Sequence, residues 1–169
     1  MSDKQIITRI APSPTGNLHI GTARTTLLNF LFAKQNNGKF ILRIEDTDKA
    51  RSTKEFEQNI LDSLEWLGIT YDDFFRQSER ENVYKEYLNK LIDGGFAYIS
   101  KEIPKEEGEK DSVIRFKNPN KKIVFDDLIR GKVEFDTTEL KDFVIAKSLE
   151  EPLYHLAVVV DDFLMNISH

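Results

Sequence analysis

Apolar and polar positions at the start of the chain predict one strand followed by one helix. Residues 6–10 form a short β-branched run that predicts a buried strand, and Pro12, which has no backbone N–H for a ladder, ends it. After a turn, a helix is predicted from Asn17, as its N-cap, to Gly38. The apolar positions of this helix share one predicted face: Leu27, Leu28, Leu31 and Phe32.

The same order then repeats. Residues 39–44 predict a second strand, and a capping box at residues 52–55 predicts a second helix that Gly68 ends. A second capping box at residues 78–81 predicts a third helix, which ends before Gly94. Strand, helix, strand, helix and helix predict an α/β fold in which helices cover a parallel sheet. Three carboxylates follow the second strand directly: Glu45, Asp46 and Asp48.

The pattern changes after Gly95 from helical spacing to short alternating runs. The charged residues 101–111 predict a loop, and Gly131 predicts a turn between the last two of the runs that follow. This region therefore predicts a small β-rich insertion. Its strands are predicted at residues 113–116, 122–125 and 132–135.

The last part of the chain returns to longer elements. Residues 142–147 predict a strand that rejoins the main body, and residues 154–165 predict a helix. A further strand is predicted to begin at residues 167–169. The residues predicted to face inward from the helix are Leu156, Val159, Val160 and Phe163.

Composition narrows the classes of partner and of site. The 169 residues carry a net charge of −5, so the surface as a whole repels nucleic acid and any RNA contact must be local. The absence of cysteine excludes disulfides and cysteine zinc sites, and it fits a reducing compartment. We see no signal-peptide pattern and no apolar run of the ~20 residues that a membrane span needs. The sequence predicts a cytoplasmic protein without a membrane partner.

The first strand-turn-helix is the strongest candidate for phosphate chemistry. Helix N–H groups and the positive end of the macrodipole attract anions where a helix starts beside the carboxyl end of a strand. His19 could donate a hydrogen bond to phosphate oxygens as charge develops, and Gly21 leaves room for a base or ribose on the backbone. Taken alone, a histidine at the start of a helix is more often a surface or capping residue than a ligand-binding one.

Residues 9–22, Arg-Ile-Ala-Pro-Ser-Pro-Thr-Gly-Asn-Leu-His-Ile-Gly-Thr, resemble the first signature of the class I aminoacyl-tRNA synthetases, in their glutamyl branch. Residues 38–48 resemble a second block of that branch. Thr22 is a tolerated variant of the signature. Shorter matches at residues 78–80, 154–157 and 160–162 extend the resemblance over nearly the whole chain.

The resemblance implies a Rossmann-like parallel sheet with flanking helices, interrupted by a small α+β connective insertion and truncated at its C-terminal side. Residues 1–95 would form the first half of the nucleotide-binding domain, and residues 96–147 the insertion that receives the tRNA acceptor stem. Residues 148–169 would return, incompletely, to the catalytic domain. The family continues into a strand with a second substrate arginine and then into a mobile lysine loop.

The activity that the resemblance implies is ATP-dependent ligation of L-glutamate to tRNA(Glu) through a glutamyl-adenylate. ATP would come with Mg²⁺, and no zinc is expected because residues 97–101, where some relatives carry a cysteine site, contain no cysteine. The full-length protein would be a monomer. The residues implied for ATP are Pro12, His19, Gly21 and Thr22, with His19 catalytic. Those implied for glutamate are Arg9, Ala11, Ser13, Glu45 and Tyr154.

The charged members of this set suit an acidic amino acid. The planar fork of Arg9 matches a side-chain carboxylate, and Glu45 would pair with the α-ammonium. Tyr154 would close the pocket with its hydroxyl. Without the resemblance, Arg9 and Glu45 could form a structural ion pair, and Tyr154 could be a core residue. Val158 stands where some glutamyl enzymes carry an amide, so that contact with the substrate is not expected here.

Six basic residues between positions 115 and 132 are implied to bind the tRNA acceptor end. Only two acids, Asp126 and Asp127, lie in the same window, and the local excess of +4 suits phosphate contacts. Charge alone would equally fit a solvated loop face. The six residues are Arg115, Lys117, Lys121, Lys122, Arg130 and Lys132.

Two alternatives stay open on the sequence. A shorter paralogue of the glutamyl branch, which attaches glutamate to queuosine in tRNA(Asp), is compatible with the missing cysteines. A non-catalytic fragment that binds ATP or RNA belongs to another functional class. Pyrophosphate exchange in the presence of glutamate and tRNA separates catalysis from binding.

Overall fold

The computed structural model describes residues 5–102 and 111–169. By their internal contacts these residues form two compact units. The first unit comprises Met1–Glu81 and Val158–His169, and the second comprises Asn82–Ala157. The functional domain boundaries implied by the resemblance, at 95/96 and 147/148, remain a prediction.

A three-stranded parallel sheet forms the centre of the first unit. Its strands are β1 (Ile7–Ile10), β2 (Lys39–Ile44) and β3 (Asp73–Arg76), in the order β1-β2-β3. Both neighbouring pairs run parallel, which confirms the predicted α/β architecture. The sequence analysis placed β1 and β2 but missed β3. This four-residue strand is too short to show an alternation of its own.

Two helices connect these strands. They are α1 (Ile20–Gln35) and α2 (Lys54–Trp66), and each lies between consecutive parallel strands along the chain. The predicted N-cap Asn17 is wrong, because the side chain of His19 caps α1. The first capping box is wrong by one residue, since Thr53 accepts the N–H of Phe56 at 3.2 Å. Local sequence offers several adjacent capping side chains here, and only one of them meets the helix geometry.

The second capping box is also wrong. Ser78 lies in a short 3₁₀ helix, Gln77–Glu79, and its N–H and hydroxyl both bind the carboxylate of Asp46, at 2.8 and 2.6 Å. The helix after it is α3 (Glu81–Asp93), which begins three residues beyond Ser78. Ser78 therefore binds Asp46, which follows β2, and does not cap the helix as the local pattern predicted.

The core of the first unit lies where α1 and α2 pack on the sheet. Leu42 and Ile44 of β2 are fully buried, and so is Ala33 of α1. The predicted apolar face of α1 is wrong, because Leu27, Leu28 and Leu31 are 42, 56 and 43% exposed. Helix α1 is apolar on more than one side, so periodicity alone could not choose the face that meets the sheet. The residues that pack inward from α1 are Thr26, Phe30 and Ala33.

The end of the chain lies against the free side of β1. The backbone N–H of Ser168 donates to the carbonyl of Ile7 at 2.9 Å, and the N–H of Ile7 donates to the Ser168 hydroxyl at 2.8 Å. The structure assigns no strand to residues 167–169. The strand predicted to begin there is therefore not formed within residues 167–169.

The second unit contains an antiparallel sheet and a hairpin. Its sheet has the order β4-β5-β8-β9, and strands β6 and β7 pair only with each other in a two-stranded sheet. The predicted strands in the insertion are confirmed, and β4 was missed. The strands are β4 (Ala97–Lys101), β5 (Ser112–Phe116), β6 (Lys122–Asp127), β7 (Gly131–Asp136), β8 (Phe143–Ser148) and β9 (Glu151–Pro152). Most of the predicted loop at 101–111 lies outside the described residues.

The strand predicted at 142–147 to rejoin the main body is β8, and that destination is wrong. Strand β8 pairs antiparallel with β5 and with β9 inside the second unit. A short alternating strand carries no signal for the sheet it joins, because the partner is chosen by long-range packing.

The last helix, α4 (Tyr154–Leu164), begins in the second unit and ends in the first. Leu156 and Val160 are buried as predicted. Val159 and Phe163 are 67 and 69% exposed, so this half of the predicted inward face is wrong. Asp161 is fully buried instead, because its carboxylate pairs with the side chains of Arg43 and Arg80. Among the described residues, no helix combines the length and the apolar character of a membrane crossing.

Candidate active site

A cluster of charged side chains lies in the first unit, about the carboxyl-terminal halves of β1 and β2. Arg9 belongs to β1, Arg43 belongs to β2, and Glu45 follows β2 directly. Arg9 is in register with Ile41, so Arg43, two residues further along β2, is on the same face of the sheet. Helix α4 supplies two adjacent carboxylates to this face, those of Asp161 and Asp162.

Arg9 is held by both oxygens of one carboxylate. Its Nε donates to Oδ1 of Asp162 at 3.1 Å, and its Nη2 donates to Oδ2 at 2.8 Å. Two parallel hydrogen bonds of this kind fix the plane of a guanidinium. The Arg9 side chain remains 30% exposed, and its Nη1 has no hydrogen-bond partner among the described residues. The ion pair with Glu45 that the sequence allowed does not form.

Arg43 is the buried centre of the cluster. Its side chain has no exposed surface, and a buried charge of this kind is tolerated only when it is paired. Nη1 donates to Oδ1 of Asp162 at 2.7 Å, and Nη2 donates to Oε1 of Glu45 at 3.0 Å. Asp162 therefore accepts from two arginines at once, and Glu45 is tied to the same guanidinium.

A second pair of side chains holds Asp161. Nε of Arg80 donates to its Oδ1 at 2.7 Å, and Nε2 of Gln77 donates to its Oδ2 at 3.1 Å. Oδ2 also lies 3.7 Å from Nε of Arg43. The cluster thus combines three cations with three carboxylates, which balances its formal charge. Its members are Arg9, Arg43, Arg80, Glu45, Asp161 and Asp162.

The two carboxylates that share Arg43 differ in their pKa. Burial raises the pKa of Glu45 above its ordinary value, and the hydrogen bond from Arg43 and the nearby charge of Arg9 only partly offset this. Burial also acts on Asp162, but hydrogen bonds from Arg9 and Arg43 outweigh it and lower its pKa. Glu45 is therefore the carboxylate whose charge is less well compensated by the protein, and a further cation would stabilise it.

The turn after β1 is fastened to the end of β2. The carbonyl of Pro12 accepts the backbone N–H of Glu45 at 3.0 Å, and Pro12 is buried. Ala11 is half-buried and Ser13 is exposed. This hydrogen bond places the turn beside the buried carboxylate, which agrees with the set of residues predicted to bind glutamate. Contact with a ligand stays a prediction for each of them.

His19 begins α1 as its capping residue. Nδ1 accepts the backbone N–H of Gly21 at 3.1 Å and, more weakly, that of Thr22 at 3.4 Å. Because Nδ1 is an acceptor, the proton of the neutral ring belongs on Nε2, which lies 3.2 Å from Oγ1 of Thr22. The imidazole lies against Gly21, where a Cβ would come within 3.0 Å of the ring. The exposed Nε2–H is the donor that remains for a ligand.

The first unit has two concave regions, and His19 lines one of them. A pocket of about 380 Å³ is lined by His19, Leu18 and Ile20 from one side and by Trp66 from the other. Trp66 is 85% exposed and Ile20 is 86% exposed, so the walls of this pocket are largely apolar. A separate polar cavity of about 600 Å³ lies beyond the end of β2, and neither Arg9 nor Glu45 lines it.

Tyr154 belongs to the second unit, whereas the charged cluster belongs to the first. It is the first residue of α4, its side chain is 54% exposed, and its ring is 5.9 Å from that of His155. It is not a core residue. Its predicted contact with glutamate remains a prediction.

The six basic residues predicted to bind tRNA all lie in the second unit, and two of them are paired. Nε of Arg115 donates to Glu102 at 2.9 Å, and Lys122 lies 2.7 Å from Glu134. Glu102 and Glu134 both lie outside residues 115–132, the range over which the excess of +4 was counted. Their pairing with Arg115 and Lys122 therefore reduces that excess to +2. No ion pair within the described residues engages the other four, which are Lys117, Lys121, Arg130 and Lys132.

Sequence reasoning missed the residues that hold the predicted ones in place. It assigned no role to Arg43, Asp161 or Asp162. One signal was available, since Arg43 interrupts the apolar residues of β2, and a charge inside a buried strand requires a carboxylate partner. The partner itself could not be found this way, because Asp162 is 119 residues away.

The sequence that forms this site matches a known protein family. The model of the family described as "tRNA synthetases class I (E and Q), catalytic domain" matches residues 5–107 and 100–169. The chain belongs to this family. The resemblance stated from the motifs is thereby confirmed.

Relatives within the family carry one activity in their names. Glutamate–tRNA ligase from Aquifex aeolicus is 44% identical over 98% of this chain and 42% of its own length. Glutamate–tRNA ligase 2 from Fervidobacterium nodosum is 46% identical over 98% of this chain and 40% of its own. A crystal structure of a glutamate tRNA ligase from Elizabethkingia meningosepticum, in complex with its amino acid, superposes with a TM-score of 0.87 at 35% identity.

That structure matches 98% of this chain and 43% of the solved chain. The chain therefore spans about two fifths of the length of these class I synthetases. Its fold is that of the corresponding part of their catalytic domain.

Proposed function

We propose that the chain is the part of a glutamate–tRNA ligase that binds L-glutamate and the phosphates of ATP. One observation carries the proposal. Asp162 holds Arg9 by one edge, and the opposite nitrogen, Nη1, stays available, while the buried Glu45 belongs to the same cluster. A cation and an incompletely compensated carboxylate suit an amino acid with an anionic side chain. The names of the relatives support the same substrate.

Glutamate would bind with its two ends recognised separately. Its side-chain carboxylate accepts from Arg9, and its α-ammonium pairs with Glu45, whose buried carboxylate gains the cation that it lacks. The backbone of Ala11 and the hydroxyl of Ser13 lie on the turn fastened to Glu45 and add hydrogen bonds. The hydroxyl of Tyr154 closes the pocket in this proposal.

ATP would meet the start of α1. The Nε2–H of His19 donates to a phosphate oxygen, Thr22 exchanges its contact with the ring for one with the ligand, and Gly21 and Pro12 provide the adjoining backbone. The positive end of the helix dipole favours the same charge. Mg²⁺ would neutralise phosphate charge, and it keeps much of its water, so oxygens of the nucleotide supply its ligands. The described residues hold no group of three or more candidate side-chain ligands.

The chemistry in this proposal joins the α-carboxylate of glutamate to the α-phosphate of ATP, with pyrophosphate leaving. A hydroxyl of the terminal ribose of tRNA(Glu) then attacks the glutamyl carbonyl, and the glutamyl group passes to tRNA with AMP leaving. The contribution of this chain is positioning and charge stabilisation, because Arg9 and Glu45 fix the nucleophile and His19 meets the developing phosphate charge. Lys117, Lys121, Arg130 and Lys132 would contact the acceptor stem. For the full-length protein we propose a cytoplasmic monomer.

Amino-acid binding tests the proposal directly. We expect the chain to bind L-glutamate at least about tenfold more tightly than L-glutamine, because an uncharged amide cannot accept two charge-assisted hydrogen bonds from the edge of Arg9 that Asp162 leaves available. Titration calorimetry measures both, with Arg9→Met expected to abolish the preference. Arg51→Met is the matched control, since Arg51 forms an exposed pair with Asp48. Equal binding of the two amino acids, or wild-type selectivity in Arg9→Met, would contradict the proposal.

A further inference from the structure

A single buried side chain connects the two groups that are proposed to bind the ends of glutamate. Arg43 donates from Nη1 to Asp162 and from Nη2 to Glu45, at 2.7 and 3.0 Å. Asp162 in turn holds Arg9. The path from Arg9 to Glu45 is therefore an unbroken series of charge-assisted hydrogen bonds through one carboxylate and one guanidinium.

The two hydrogen bonds that Arg9 donates to Asp162 also set the orientation of Arg9. They occupy Nε and Nη2, which are one edge of the planar guanidinium. The edge formed by Nη1 and Nη2 is then the one that can accept a second carboxylate in the two-bond geometry that arginine favours. A lysine or an unsupported arginine would not present such a defined edge.

The centre of this series cannot move easily. Arg43 has no exposed surface, and rotating its guanidinium would leave buried charges without partners. Asp161, which faces Nε of Arg43, is itself held by Arg80 and Gln77. Helix α4 is thereby attached to β2 through two consecutive carboxylates, and Asp162 has little freedom to follow Arg9 if Arg9 moves.

We propose that Asp162 and Arg43 are positioning residues that fix the orientation of Arg9 and its separation from Glu45, so that the site selects an amino acid by the length and the charge of its side chain. This inference rests on the proposed function. L-Aspartate, shorter by one methylene, could not reach both ends of a site of fixed separation. L-Glutamine has the right length but no charge for the presented edge of Arg9.

The experiment uses the 169-residue chain with Asp162→Asn and, as a matched control, Asp73→Asn. Asp73 forms a half-exposed ion pair with Lys39 at 3.3 Å, at the amino-terminal end of β3. Chains labelled with ¹⁵N-arginine report the Nε–H signals without any ligand, and Arg9→Lys assigns the signal of Arg9. Titrations with L-glutamate, L-aspartate and L-glutamine then give the selectivity of each variant.

In the wild-type chain and the control we expect a distinct Arg9 Nε–H signal in slow exchange with water. In Asp162→Asn that signal should join those of exposed arginines, with exchange at least about tenfold faster. Glutamate binding should weaken roughly 10- to 100-fold, the range for residues that orient a binding group, and the preference over aspartate and glutamine should fall toward unity.

An unchanged Arg9 signal in Asp162→Asn would overturn the inference, and so would unchanged selectivity. If the wild-type chain binds none of the three amino acids, the proposed function fails, and the Arg9 signal alone still decides the positioning. Should Asp162→Asn unfold by circular dichroism, Asp162→Glu replaces it. That variant keeps the charge but shifts it by one methylene, and we expect a lower ratio of glutamate to aspartate binding with the fold retained.

Discussion

His19 caps α1 and, in the proposed function, also donates to a phosphate of ATP. Its Nδ1 caps α1, and its Nε2–H faces outward. We expect His19→Ala to lower the free energy of unfolding by about 0.5–2 kcal/mol, the usual cost of losing a cap. His19→Asp should restore most of that stability, because aspartate is a good cap, but should repel phosphate and leave ATP binding lost. Urea unfolding and ATP titration of both variants separate the tasks. Recovery of ATP affinity in His19→Asp would show that capping alone matters.

Gly38 is required for close packing at the start of β2. A Cβ there would lie 2.3 Å from the carbonyl oxygen of Ile6, whereas one at Gly16 meets nothing within 4 Å. We expect Gly38→Ala to lower the free energy of unfolding by about 1–3 kcal/mol through overpacking, and Gly16→Ala to leave it nearly unchanged. Urea unfolding measures both. Equal stabilities of the two variants would contradict this account of Gly38.

The paired state of Asp162 should be visible in the acid stability of the chain. Its pKa is lowered by Arg9 and Arg43, so the folded state binds fewer protons there than the unfolded state. The stability that it contributes is present above its ordinary pKa of about 3.9 and is lost as the pH falls through the lower, folded value. Unfolding between pH 3 and 7 should therefore show a shallower acid loss in Asp162→Asn than in the wild type. Parallel curves would mean that the pair contributes nothing to folding.

Among single residues, the sequence predicted two members of the charged cluster, Arg9 and Glu45, but none of the charged side chains that hold them. Arg9, Glu45 and His19 were predicted as site residues, and the structure gathers the first two into one cluster. Asp162 lies 153 residues from Arg9, beyond the range of any local pattern. Capping failed for a different reason. Neighbouring residues offered similar side chains, and tertiary contacts, such as Asp46 with Ser78, decided between them.

At the scale of elements, the β6–β7 hairpin carries two of the four predicted tRNA-binding residues that form no ion pair within the described residues. Arg130 lies at its turn, and Lys132 lies opposite Asp126. We expect Arg130→Ala and Lys132→Ala each to weaken binding of an acceptor-stem RNA and to lower the salt-dependence slope by about one. Lys122→Ala is the control, because Lys122 is already paired with Glu134. Filter binding at several salt concentrations measures the slopes. An equal loss in all three variants would argue against a specific contact.

The ranges of the helices were predicted well, whereas the face that a helix turns toward the core was predicted poorly. Helices α2 and α4 match their predicted ranges closely, yet half of the predicted inward face of α4 is exposed. That error has a physical cause, since α4 turns a carboxylate pair toward Arg43 rather than its most apolar side. Strand β8 was placed in the wrong sheet, because the choice of partner strand depends on contacts that no window of sequence contains.

At the scale of the whole molecule, the first unit exposes large apolar side chains on two of its helices. Leu27, Leu28 and Leu31 of α1 are 42, 56 and 43% exposed, and Val159 and Phe163 of α4 are exposed further. Such surfaces promote association. We expect the 169-residue chain to self-associate as its concentration rises, and Leu28→Lys with Leu31→Lys to reduce this. Sedimentation velocity over a concentration series measures it. A wild-type chain that stays monomeric throughout would contradict the expectation.

The distance along the chain between Arg43 and Asp162 has a consequence for biosynthesis. A ribosome adds roughly 5–20 residues per second, so the 119 residues between them take about 6 to 24 s to make. During that interval Arg43 has Glu45 as a partner but lacks the two carboxylates of α4 that complete its pairing. The nascent sheet therefore cannot bury Arg43 at low cost until α4 has emerged, and final closure of the parallel core is delayed until the whole intervening segment has been translated. Pausing of translation when β2 has left the ribosome but α4 has not been made should prolong exposure of the apolar strand to chaperones, whereas pausing after α4 has left the ribosome should not.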